Sequence, residues 1–220
     1  MSTYKYLKES SSEVPMIEVY NTMIHLEDPF IGDVSLEKIK SMISLRIPSS
    51  LFSYITSIRI GDFKHLEKRN AKAIFHNGVI YLTNKQASEK TVLEDIVHEI
   101  GHAIELKHKK FIINNLSSEY LKKRKKVLGK MNSRGIDIPD KYYAATTYDV
   151  EFDLFLSKKI GLAYIDNYCK NIMISGYSLT SLSEYFCEGL ENYMFGDLFY
   201  LQSICPMLYN TIEYILQARN

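Results

Sequence analysis

The feature that most constrains this chain is a helical run with two histidines on its polar side. From Thr91 onward, Leu93, Ile96, Val97, Ile100 and Ile104 recur at helical spacing, which predicts an amphipathic helix over 91–108. Thr91 followed three residues later by Glu94 has the pattern of a capping box at its start. The same run contains His98-Glu99-Ile100-Gly101-His102, an HExxH motif whose histidines lie opposite the apolar stripe. Residues four apart stand one turn above each other on one face, so both imidazoles can bind a single Zn²⁺. Glu99, one position on, can reach a water at such a metal as general base. An accidental match would also have to fall on an amphipathic helix with its stripe on the far side. Zinc is therefore preferred to two idle surface histidines.

Composition narrows the classes around that helix. The 220 residues are 46% apolar and 24% charged, as in a soluble globular chain. That length fits one domain, or one domain of two small lobes. Lys and Arg number 27 against 26 Asp and Glu, so the net charge of +1 supplies no global field for nucleic acid or an anionic membrane. No stretch approaches the roughly 20 apolar residues that span a bilayer. The polar start also lacks the apolar core of a secretory signal. The expected location is cytoplasmic as made, with export only by a signal-independent route. Cys169, Cys187 and Cys205 are an odd number without short paired spacing, which argues against a disulfide framework or a Cys-based zinc site.

Along the chain, residues 1–14 read as a flexible tail and 15–220 as one domain. Within it, 15–109 forms an N-terminal lobe ending in the motif helix, and 110–220 a helical C-terminal lobe. The first lobe is expected to hold a strand over 16–26, a helix over 35–43 capped by Ser35 or Asp33, and a short helix after Pro48. A strand over 55–60, a charged loop over 63–72 and a hairpin over 73–82 turning at Asn77-Gly78 follow. In the second lobe, helical patterns cover 149–169 with a break at Gly161, then 181–195, then 206–217 with Pro206 near its start. The lysine-rich stretch 107–130 is read as a solvated helix face in preference to a patch for an acidic partner.

A catalytic zinc site needs a third protein ligand and one open position. His108 would complete the pattern HExxHxxGxxH, but Glu105 replaces the glycine that lets the chain leave the helix. In a continued helix His108 points away from the metal. Glu184 is the favoured alternative, a carboxylate on a second helix with Glu188 and Glu191 on the same face. Glu188, one turn on, would accept the ring N–H of a zinc-bound histidine. Ser181 and Glu184 also match a capping box, a competing use of the same carboxylate. Glu105 is directed past the metal and reads as an exposed helix carboxylate.

His98-Glu99-Ile100-Gly101-His102-Ala103-Ile104-Glu105, Tyr177, Glu184-Tyr185-Phe186-Cys187-Glu188 and the closing Cys205-Pro206-Met207-Leu208-Tyr209 together resemble the catalytic domain of anthrax lethal factor and its relatives, the Pro-Pro endopeptidases. Those proteins place a Tyr seven residues before a Glu-aromatic-Phe-Ala-Glu segment; here Tyr177 stands seven before Glu184 and Cys187 replaces the Ala. The resemblance implies a zincin-like α+β fold: a small mixed sheet with an edge strand, the HExxH helix, then a mainly helical second lobe. It also implies one Zn²⁺ per chain held by His98, His102 and Glu184, with Glu99 activating the water and Tyr177 stabilising the oxyanion.

The expectation is a zinc-dependent endopeptidase acting on a peptide or protein, with the 73–82 hairpin as the sheet edge that receives the substrate. Its rivals are a metzincin-like site using His108, a cytoplasmic regulatory protease that cleaves a repressor-type protein, and a non-catalytic zinc-stabilised binding protein that works through 107–130.

Overall fold

A computed structural model describes residues 14–218. The expected tail 1–14 lies, apart from Val14, outside them. The chain divides into two compact units, one ending at Ala103 and the other beginning at Ile104. Its class is α+β, a mixed sheet followed by a mostly helical part.

The first unit is built on five strands: β1 (Met16–Val19), β2 (Thr22–Leu26), β3 (Ser57–Gly61), β4 (Ala73–His76) and β5 (Val79–Thr83). Their spatial order is β1-β2-β3-β5-β4, with the inner pairs β2/β3 and β3/β5 parallel and the outer pairs antiparallel. Alternation places Ile24, Leu26, Ile58, Ile60, Ile80 and Leu82 in the core, each at most 3% exposed. Helix α1 (Leu36–Arg46) adds Ile39 and Ile43 to that core, and Ser35 caps it by accepting a hydrogen bond from the Lys38 N–H.

Three expectations are corrected here. The single strand over 16–26 is a hairpin, because Tyr20 adopts φ 55° and reverses the chain while its hydroxyl bonds the Ile47 carbonyl at 2.9 Å. After the short α2 (Ser49–Phe52), the expected loop over 63–72 contains helix α3 (Lys64–Arg69). Only Leu66 of α3 is buried, so no apolar periodicity announces it. The 73–82 hairpin does form, turning at Asn77 (φ 49°) and Gly78 (φ 84°) as two-residue hairpins require. Of the hairpin's two strands only β4 lies at a sheet edge, however; β5 lies between β3 and β4.

Helix α4 (Glu89–Asn132) starts earlier than the Thr91–Glu94 pattern predicts. Ser88 and Thr91 exchange side-chain-to-N–H bonds at 3.2 Å in both directions, so the reciprocal cap is built three residues upstream, with Thr91 in the role expected of Glu94. The helical conformation is interrupted only at His108 (φ −111°, ψ 22°) and then resumes to Asn132. The basic stretch is thus helical, as expected.

The second unit holds α5 (Val150–Leu154), a π-helical stretch over 155–160 ended by Gly161 at φ 96°, α6 (Leu162–Cys169), α7 (Leu182–Phe195), α8 (Leu198–Ile204) and α9 (Pro206–Gln217). Helix α8, capped by Asp197, was not anticipated. Glu119 on α4 ties three helices together. Its carboxylate accepts from the Met207 and Leu208 N–H groups at the start of α9, at 3.0 and 3.2 Å, and from the Tyr185 hydroxyl of α7 at 2.7 Å. A carboxylate at those orphan donors also complements the helix dipole. The three cysteines are buried and unbridged. Burial pushes the Cys169 and Cys205 thiols up to about 12 and about 11. No described helix is long and apolar enough to cross a membrane.

Helices α7 and α9 are in tight contact at Gly189, where an added Cβ would stand 2.6 Å from the buried Leu208 side chain. Gly189→Ala is expected to cost about 1–3 kcal/mol through overpacking, outweighing its better helix propensity. A urea titration reads this as a lower midpoint at unchanged slope.

Candidate functional site

The first unit carries the motif on α4. Leu93, Ile96, Val97 and Ile100 are buried on one side of the helix, and this orientation sets His98 and His102 on the other. The two imidazoles are half-buried, 5.3 Å apart between ring centres and 72° to each other. Glu99 is only 7% exposed.

Its carboxylate is held by the sheet edge. The Phe75 N–H donates to Glu99 Oε2 at 2.6 Å. The strand register explains why this donor is available. Lys72, just before β4, already bonds Thr83, and alternate residues of an antiparallel strand face the partner. Phe75, three residues on, therefore turns its N–H away from β5, toward the outer side of the sheet. The motif's acid is thus bonded to the outer edge of β4. Nothing in residue types signals a main-chain donor of this kind, and sequence reasoning missed it.

In the second unit, Glu184 sits in the first turn of α7, 8% exposed, with its N–H donated to Ser181 Oγ at 3.1 Å. The Ser181 half of the expected capping box is thus formed. Glu188 Oε2 accepts from the Ser175 hydroxyl at 2.8 Å, a partner the sequence did not suggest. Tyr177 opens a short 3₁₀ turn over 177–179 and is half-buried; its carbonyl accepts from the Thr180 N–H and hydroxyl at 3.0 and 2.8 Å. Glu105 is not a merely solvated carboxylate, since it accepts a hydrogen bond from Ser183, the residue before Glu184. His108 is the one position inside α4 with non-helical φ/ψ, a kink at which two helical segments meet, so the continued helix that would turn His108 away from the metal is broken at that residue.

Side chains suited to a cation are His98 and His102 from the first unit and Cys187, Glu188 and Glu191 from the second; Glu184 is not of this set. Two imidazoles one turn apart are donors that suit zinc, and the carboxylates are compatible with it. The buried Cys187, where the resembled family has Ala, adds a thiol that spacing alone did not single out. Comparison with protein-family models, curated proteins and solved structures finds no match to this chain.

The bond between Phe75 and Glu99 has a direct readout. By hydrogen-exchange NMR, the Phe75 amide is expected to exchange about tenfold faster or more in Glu99→Ala than in the wild type, as a charge-assisted bond worth about 1.5 kcal/mol implies. Equal rates would show that the amide is not held by this carboxylate.

Proposed function

We propose that this chain is a zinc-dependent endopeptidase. The observation that carries the reading lies within the first unit. A helix presents His98 and His102 side by side, and the intervening Glu99 is anchored to the edge strand β4. Spare metal-binding histidines would need no such arrangement of a neighbouring acid.

In this reading His98 and His102 hold one Zn²⁺, Glu184 is the third ligand on the strength of the family resemblance alone, and Glu188 orients a ligating histidine. When bound, the metal polarises a carbonyl and acidifies a water. The remaining work falls to the chain. Glu99 takes the proton of the attacking water on its carboxylate and passes it to the departing amide nitrogen. The Phe75 N–H fixes one oxygen of that carboxylate, which keeps the base from rotating between the two transfers. Tyr177 donates its hydroxyl to the oxygen that gains charge. An extended peptide would lie along β4, since an unpaired edge offers main-chain donors and acceptors whatever the side chains. The Phe75 N–H is already engaged, so the peptide pairs through the other outward groups of that strand.

Glu99→Gln keeps the shape and removes the proton acceptor. With a fluorescently labelled casein as substrate, it is expected to retain zinc and lose hydrolysis at least about a hundredfold. Turnover within a few fold of the wild type would overturn the assignment of Glu99.

A further inference from the structure

The lysine-rich segment of α4 hides one residue unlike its neighbours. Lys122, Lys125 and Lys126 are exposed, whereas Arg124 between them is fully buried, at 0% exposure. A guanidinium in a protein interior is costly, and an apolar side chain of similar volume would fill the space at less electrostatic expense. What an apolar residue cannot do is bridge several acceptors at fixed angles.

Arg124 makes such a bridge. Nη1 donates to the Leu179 carbonyl at 2.7 Å, to the Thr180 carbonyl at 3.2 Å and to the Tyr120 hydroxyl at 2.5 Å. Nε donates to the Tyr142 carbonyl at 2.6 Å, and the guanidinium lies 4.4 Å from the Phe152 ring centre. Nη2 is buried and has no hydrogen-bond partner among the described residues. Tyr120 reinforces the grip by donating to the Leu179 carbonyl at 3.0 Å. Burial pushes the Tyr120 hydroxyl up to about 12, against the lowering effect of Arg124, so it remains a donor; the Glu184 carboxylate acts on it in the same upward direction. Among the described residues the hydrogen-bond partners of Arg124 are all neutral oxygens, so the charge serves to hold backbone and hydroxyl groups.

The two carbonyls are informative by their place. Leu179 ends the turn that Tyr177 begins, and Thr180 precedes Ser181, the cap of α7. The Tyr177 carbonyl is bonded by Thr180, and the Glu184 N–H is bonded by Ser181. Displacement of residues 179–180 would therefore move both ends of the stretch.

The geometry points to Arg124 as the positioning residue for the Tyr177–Glu184 stretch, so that its removal weakens zinc binding without touching a ligand. This rests on the zinc reading above, with Glu184 as third ligand.

The test is zinc affinity of the full-length chain, measured by competition with a chromophoric chelator. The variants are Arg124→Met, Arg124→Lys and Glu184→Ala, with Met131→Ala, buried farther along α4, as a control for lost stability. Glu184→Ala should lose zinc. Arg124→Met is expected to weaken it by about tenfold or more, the scale on which residues that orient ligands act. Arg124→Lys keeps the charge but not the fork, so it should recover part of the affinity, and it carries the test if Arg124→Met does not fold. Met131→Ala should stay within about twofold of the wild type, since a cavity there lowers stability without reaching a ligand. Loss of zinc in Glu184→Ala with wild-type affinity in both Arg124 variants would overturn the positioning role and leave the zinc reading standing. Undiminished affinity in Glu184→Ala would remove the ligand that Arg124 is said to position, and the inference would fall with it. An equal loss in Met131→Ala would reduce Arg124 to a structural part.

Discussion

The hydrogen bond from the Phe75 N–H to the Glu99 carboxylate is the contact on which the setting of the motif in the first unit depends. It joins the motif helix to the edge strand β4. The helix can offer its acid there because its other side is committed to the core through Leu93, Ile96, Val97 and Ile100. The strand can offer its N–H because the register with β5 directs that group outward. A one-residue slip of β4 would reverse both the facing of Phe75 and the partner of Glu99.

The second unit rests on a different device, polar groups of α4 placed inside a helical cluster. Glu119 binds the start of α9 and the Tyr185 hydroxyl, while Arg124 binds the carbonyls before α7. Lys123 donates to the Ile172 carbonyl at 2.8 Å and also to the Ile204 carbonyl at the end of α8, where a cation complements the helix dipole. A segment that reads as a solvated basic face therefore serves partly as the organiser of its own unit. The exposed lysines beside these residues keep the solvated character expected of them.

Much of the fold was legible where a local rule has one outcome. Asn77-Gly78 marks a two-residue hairpin because both positions need positive φ. Ser181 and Pro206 mark helix starts because each answers the unpaired N–H groups of a first turn. His98 and His102 were legible as a pair because helical spacing fixes their common side, and Glu99 because it adjoins one of them. Other features were silent for physical reasons. Helices α3 and α8 bury one residue each, Leu66 and Leu201, and leave no periodic pattern. The turn at Tyr20 uses a residue with no preference for positive φ. The burial of Arg124 depends on carbonyls far away in the chain, and a run of like charges cannot distinguish the one that turns inward. Glu188 was expected to serve a histidine, and its Ser175 partner comes from a loop that no pattern located.

The central claim is that His98 and His102 are metal ligands, and zinc content tests it most directly. Purified full-length chain, incubated with zinc and passed through a desalting column, would be assayed by elemental analysis beside the His98→Ala/His102→Ala variant. The account predicts about one zinc per wild-type chain and essentially none in the double variant, as a single-site metal centre requires. A wild type that retains no zinc, or a double variant that keeps it in full, would contradict the account.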